Sequence, residues 1–163
     1  MRVKIKTLRI EHEALLHELI DQSFDFFAVI PLPDSNHSKV LDQTVKLSTY
    51  EVVSFNEFAF NSLALYKFQV DEKTLAEYIN SEFKFGIEEQ GVTGSLKVNK
   101  LIMADNFTLN VSVDLTQTKK EVTETMIEGR KRPRRVEAVN TRHAGSVVLE
   151  INLQKSDTED QLK

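Results

Sequence analysis

From Phe107 to Leu115 the chain alternates without a break, with Phe107, Leu109, Val111, Val113 and Leu115 set against Thr108, Asn110, Ser112 and Asp114. A period of two puts all five apolar side chains on one face of an extended strand, whereas a helix would scatter them around its surface. Val147, Leu149, Ile151 and Leu153 repeat the pattern near the C-terminus. Strands apolar on one face and polar on the other belong to antiparallel sheets that cover a core on one side. Upstream, Gly91 and Gly94 precede Leu96, Val98, Leu101 and Met103, and Ala104-Asp105-Asn106 reads as a turn. This predicts a hairpin joining that run to the 107–115 strand.

The N-terminal half mixes two periods. Residues 1–10 alternate, with Val3, Ile5 and Thr7 on one face and lysines on the other, which predicts a strand. From Glu11 the spacing changes to three and four: Leu15, Leu16, Leu19, Ile20, Phe24 and Phe27 form one apolar stripe. That stripe predicts a helix over residues 11–28, ended by Pro31 and Pro33, with PLPDSNHS as a loop. Residues 44–70 contain neither Gly nor Pro, and Val45, Leu47, Val53 and Phe55 alternate before the phase slips at Asn56 and Glu57. A slip of one residue turns every later side chain to the other face, so two strands with a turn or β-bulge between them are expected. Asp71 is placed to cap a second helix over residues 72–84, with Leu75, Ile79 and Phe83 as its buried line and Gly86 as its stop. The fold class is therefore α+β: a mainly antiparallel sheet of about six to eight strands packed with two amphipathic helices. One domain covers residues 1–155, followed by a polar tail at 156–163.

Residues 117–142 break the pattern. Their apolar content is Val122, Met126, Ile127, Val136, Ala138 and Val139, too little to line a core, and they hold eight Lys or Arg against four Glu. Since the whole chain carries a net charge of −4, an excursion of +4 is attached to a body of −8. At its centre, Gly129 to Arg135 reads GRKRPRR, with five cations in seven residues. The expected form is an extended basic arm or loop, with a third helix from Lys119 to Glu128 as the alternative, since Val122 and Met126 are four apart.

Few chemistries fit the remaining residues. The absence of cysteine removes disulfides, thiolate metal sites and cysteine nucleophiles, and agrees with a reducing, cytoplasmic setting. No apolar run is long enough for a signal peptide or a membrane span. His12 and His17 are five apart, and Leu16 stands where a helical metal pair would need its second histidine. His143 near Ser146 makes no triad, and Asp21 with Asp25 reads as a solvated pair one helical turn apart. Gly86, Gly91 and Gly94 bracket Glu88 and Glu89, whose carboxylates would repel a phosphate.

No catalytic residue, metal or cofactor is therefore expected. The signal that remains is the arm, with Arg130, Lys131, Arg132, Arg134, Arg135 and Arg142 as contact residues. Clustered cations repel one another unless solvated or neutralised by an anion. They can meet nucleic acid phosphates by counterion release, dock on an acidic protein surface, or stay solvated. The same residues would suit a nuclear import address. Without Phe, Tyr or Trp in 117–142, base stacking from the arm is not expected. The function expected is a non-catalytic binding or assembly protein that contacts a polyanion or an acidic protein surface through the basic arm, and a homo-oligomer is expected from the complementary charge blocks. The alternative is a β-cup holding an apolar small molecule or lipid.

Overall fold

The computed structural model describes residues 1–102, 108–125, 129 and 134–153, with backbone alone over 120–125 and 134–138. Nine strands form one antiparallel sheet: β1 (Arg2–Ile10), β2 (Phe26–Asp34), β3 (Lys39–Leu47), β4 (Glu51–Ser54), β5 (Glu57–Leu65), β6 (Glu82–Ile87), β7 (Val92–Lys97), β8 (Thr108–Thr125) and β9 (Arg134–Asn152). Their spatial order is β3-β2-β6-β7-β8-β9-β1-β5-β4. Helices α1 (Glu13–Asp21), α2 (Glu72–Ile79) and α3 (Val98–Ile102), with a 3₁₀ turn at Glu88–Gln90, complete the described elements. The α+β, mainly antiparallel expectation holds, but nine strands exceed the six to eight expected.

The extra strands come from two misread periods. Helix α1 stops at Asp21 because the side chains that follow alternate: Phe26, Ala28 and Ile30 are buried, whereas Phe27 and Val29 are half-exposed. The expected helix over 11–28 is thus a nine-residue helix followed by β2, and Asp21 and Asp25 do not share a helix. Pro31 and Pro33, expected to lie outside regular structure, belong to β2. They sit where β2 still pairs with β3 but pairing with β6 has ended at Val29, so an absent N–H can face the unpaired side. Residues 39–65 hold three strands, and the phase slip at Asn56 is the tight turn between β4 and β5.

Helix α2 begins as expected, with the Asp71 carboxylate accepting from the Thr74 N–H at 2.7 Å. It ends at Ile79 rather than residue 84, and its buried side chains are Thr74 and Tyr78, while Leu75 faces outward. Phe83, Phe85 and Ile87 resume a period of two as β6, and Gly86 pairs within that strand instead of ending a helix. Val98 and Leu101, expected on a strand, are three apart on α3 and both buried. The Ala104–Asn106 turn lies outside the described residues, and β8 takes β9 as its long partner, pairing with β7 at Gln117 and Thr116. Lys119 to Thr125 are β-strand, which overturns the helical alternative for those residues.

The two strands at the ends of the sheet, β3 and β4, are consecutive in the chain and joined by residues 48–50 alone. Four Cα steps span at most about 14 Å, so the sheet must curl until its edges approach at that end. Aromatic contacts bridge the approach: Phe26 of β2 lies 5.4 Å from Phe60 of β5, and Phe24 stacks on Tyr50 at 4.4 Å. The concave side is filled by side chains such as Phe83, Phe85, Leu115, Val147 and Leu149, all fully buried. Helix α1 closes one end through Leu15, Leu16 and Leu19. Helix α2 packs on β2 and β3 and contacts α3, covering the opposite end. Among the described residues, no helix is long and apolar enough to cross a membrane.

Candidate functional site: the outer half of the β8–β9 hairpin

β8 and β9 pair from Thr108↔Asn152 to Thr125↔Arg134, but a third strand flanks only the inner part of that ladder. On one side β1 accompanies β9 from Asn152 to Gly145. On the other, β7 reaches β8 only as far as Gln117. The last eight pairs, Thr118↔Thr141 to Thr125↔Arg134, have no third strand beside them among the described residues. At about 3.3 Å per residue this two-stranded stretch runs roughly 25 Å.

The junction between the two halves is built in detail. Ala144 is an extra residue on β9, since Leu115 pairs with Gly145 and Thr116 with His143. Such a bulge bends and twists its strand. The freed Ala144 carbonyl accepts the N–H groups of Glu11 and His12 at 2.8 and 3.2 Å, tying the bulge to the start of α1. Across from it, Gln117 continues the inward phase of Val113 and Leu115 and is only 3% exposed. Its amide nitrogen donates to the Gln90 carbonyl at 2.9 Å, and its oxygen accepts from Arg142 Nε at 3.0 Å. A buried primary amide needs both kinds of partner, and here it has them. Beside it the Thr118 N–H donates to the Gly91 carbonyl. Gly91 adopts a φ of 65°, and a Cβ there would lie 2.6 Å from the Thr118 carbonyl oxygen, so both conformation and space call for glycine.

The expected contact residues divide accordingly. Arg142 is half-buried at the junction with its Nε committed to Gln117. Arg134 and Arg135 lie on β9, in register with Thr125 and Glu124. Arg130, Lys131 and Arg132 lie outside the described residues, as does the 156–163 tail. The amide clamp of Gln117, Gln90 and Gly91 was missed at sequence level, yet it left a signal: a glutamine in the inward phase of an apolar strand.

The histidines have separate places. His143 Nε2 is 2.7 Å from Glu11 Oε2, and Arg9 approaches the other oxygen at 3.9 Å. His12 Nδ1 accepts from the Leu15 N–H and caps α1, while His17 and His37 face Glu13 and Asp34 respectively. The perturbed groups lie at the end opposite the junction. The His37 hydrogen bond holds Asp34 below the usual carboxylate range, and the Thr74 N–H does the same for Asp71. Burial pushes the Tyr78 hydroxyl well above the ordinary tyrosine value. None of these groups adjoins the β8–β9 extension. No family model, curated protein or solved structure matches this chain.

Proposed function

We propose that the protein is a non-catalytic binding or assembly protein that docks on an acidic protein surface through a basic arm formed by residues 117–142. The observation that carries this reading is the eight-pair ladder from Thr118↔Thr141 to Thr125↔Arg134, which has no third strand beside it among the described residues. A net charge of +4 is thereby grouped on one segment, attached to a body of −8. Arg130, Lys131, Arg132, Arg134 and Arg135 are the contact residues, and Arg142 serves the base. A protein partner needs a single acidic patch at the arm. A long polyanion lying along it would also meet Glu11, Glu88 and Glu89 near the base, and like charges there oppose binding. The apolar-ligand cup has less support, because the inward positions are occupied by large buried side chains.

The test is retention on immobilised poly-glutamate and on heparin at low salt, comparing the wild type with the triple variant Arg132→Ala, Arg134→Ala, Arg135→Ala. Retention of the wild type should be released by moderate salt and lost in the variant, with the far-UV spectrum unchanged. Equal retention of both proteins would remove the arm as the contact. Preference for heparin over poly-glutamate would move the reading to a polyanion.

A further inference from the structure

The negative charge of the body is concentrated. No Lys or Arg occurs from Ile10 to Ser38, or from Leu47 to Tyr66. The first stretch contains α1 and the second contains the β4–β5 hairpin. Both lie at the end of the sheet from which the β8–β9 extension departs: the Ile10 N–H donates to the Asn56 carbonyl, and Ile10 pairs with Gly145. Glu18, Asp21, Asp25 and Glu51 are all exposed there. Of the neighbouring cations, Arg9 is taken up by Glu11, and Lys46 stands at the end of β3.

Next to these carboxylates in the chain are the residues of an apolar groove of about 300 Å³, lined by the buried Leu19 and Phe58 and by the more exposed Ile20, Tyr50, Val52 and Phe55. Three of the lining residues are strongly exposed, Ile20 at 57%, Val52 at 62% and Phe55 at 77%. The groove borders β4, a four-residue strand at the end of the sheet order. An occupant must therefore be apolar enough to cover Phe55 and cationic enough to answer the acidic rim.

On the reading of the arm given above, we propose that this groove receives the basic arm of a second copy of the chain. The arm meets both requirements: it has a net charge of +4 and includes Val122, Val136 and Val139, the last of them 65% exposed. An apolar ligand would leave the carboxylates unanswered, and a nucleic acid would be repelled by them. Because arm and groove share one end of the molecule, two copies facing each other end to end can each give an arm and receive one. The exchange closes on itself as a two-fold pair rather than extending as a filament.

The test is molar mass by light scattering over a concentration series at low salt. The wild type should approach twice the monomer mass, and added salt should reverse this. Reversing the rim (Glu18→Lys, Asp21→Lys, Glu51→Lys) or the arm (Arg132→Glu, Arg134→Glu, Arg135→Glu) should each weaken association by about tenfold or more. Combining all six changes in one chain should restore it, because each reversed arm then meets a reversed rim. Phe55→Ser, at an exposed position that leaves the core intact, should weaken association without altering the charge balance. A monomeric wild type, or a rim reversal with unchanged mass, overturns the inference. If that wild type is still held on poly-glutamate through its arm, only the second-copy partner falls. If it is held by neither, the arm reading falls as well.

Discussion

β8 and β9 each pass through two environments, and the two halves of their hairpin can be compared directly. In the inner half Val113, Leu115, Val147, Leu149 and Ile151 are buried, with β1 alongside and β7 meeting the ladder at its end. In the outer half the ladder continues in register, yet Lys119, Val139, Asn140 and Thr141 are exposed. Backbone pairing is the same in both, so hydrogen bonding does not explain the difference. What changes is the side chain offered to the inward phase: Val113, Leu115 and Gln117 are followed by Lys119, and the core stops there. A ladder can outlast its core, but a two-stranded stretch gains little stability by itself. The inner half therefore carries stability, and the outer half is free to carry charge.

The largest expected effect follows from that division. Leu115→Ala, at a fully buried position, should cost about 2–5 kcal/mol in denaturant unfolding, and Val139→Ala no more than about 0.5 kcal/mol. Similar losses from both would break the comparison. Next is the boundary: a Cβ at Gly145 would run into the Arg9 carbonyl oxygen, so Gly145→Ala should cost about 1–3 kcal/mol by forcing β9 and β1 apart. Amide exchange would place the damage, with protection lost along β1 and the inner half while Thr118 to Thr125 change little.

A smaller effect is expected at the clamp. Gln117→Ala leaves the Gln90 carbonyl and Arg142 Nε without their partner and should cost about 1 kcal/mol. It should also raise amide exchange over residues 118–125 more than elsewhere, which separates loosening of the extension from global destabilisation. The smallest effect at neutral pH belongs to Tyr78→Phe, since the hydroxyl's described contact is the Met1 sulfur at 3.7 Å. Burial raises this group's pKa in the folded state, so the folded protein keeps a proton that the unfolded chain gives up more readily. Its contribution is fully present below the ordinary tyrosine value of about 10 and is lost as pH rises above it. Urea midpoints should thus fall less in Tyr78→Phe than in the wild type on passing from neutral to strongly alkaline pH. Residues 117–142 contain no tyrosine, so an equal fall would show that the alkaline response does not arise from Tyr78.

The strands at 108–115 and 147–152 were legible because each presents a single uninterrupted period, whereas β1 was legible as a strand but not in its facing, since a bulge between Ile5 and Thr7 turns Leu8 and Ile10 inward in place of Thr7. Asp71 was legible as a cap because its role depends on neighbours within three residues. Errors fell where two periods overlap. Phe24 and Phe27 fit a helical stripe begun by Leu15, but Phe26 and Ile30 fit a strand equally well. Leu75 has helical spacing, yet α2 turns Thr74 and Tyr78 inward because β2 and β3 lie on that side. Of the candidate site, the charge block could be read from composition, whereas the junction that holds its base could not. Gln117, Gln90, Gly91 and Arg142 are scattered over more than fifty residues and meet only when β7 and β8 pair.

The sequence by itself determined the class of the fold, the end of the hydrophobic core along β8, and the separation of charge into a basic segment and an acidic remainder. These depend on spacing and composition, which act locally. Tertiary structure decided which strands became neighbours, that the edges β3 and β4 approach one another, and that the acidic α1 end is also the end from which the basic segment departs. Those relations depend on pairing between residues distant in the chain, and no local period encodes which distant face a strand will meet.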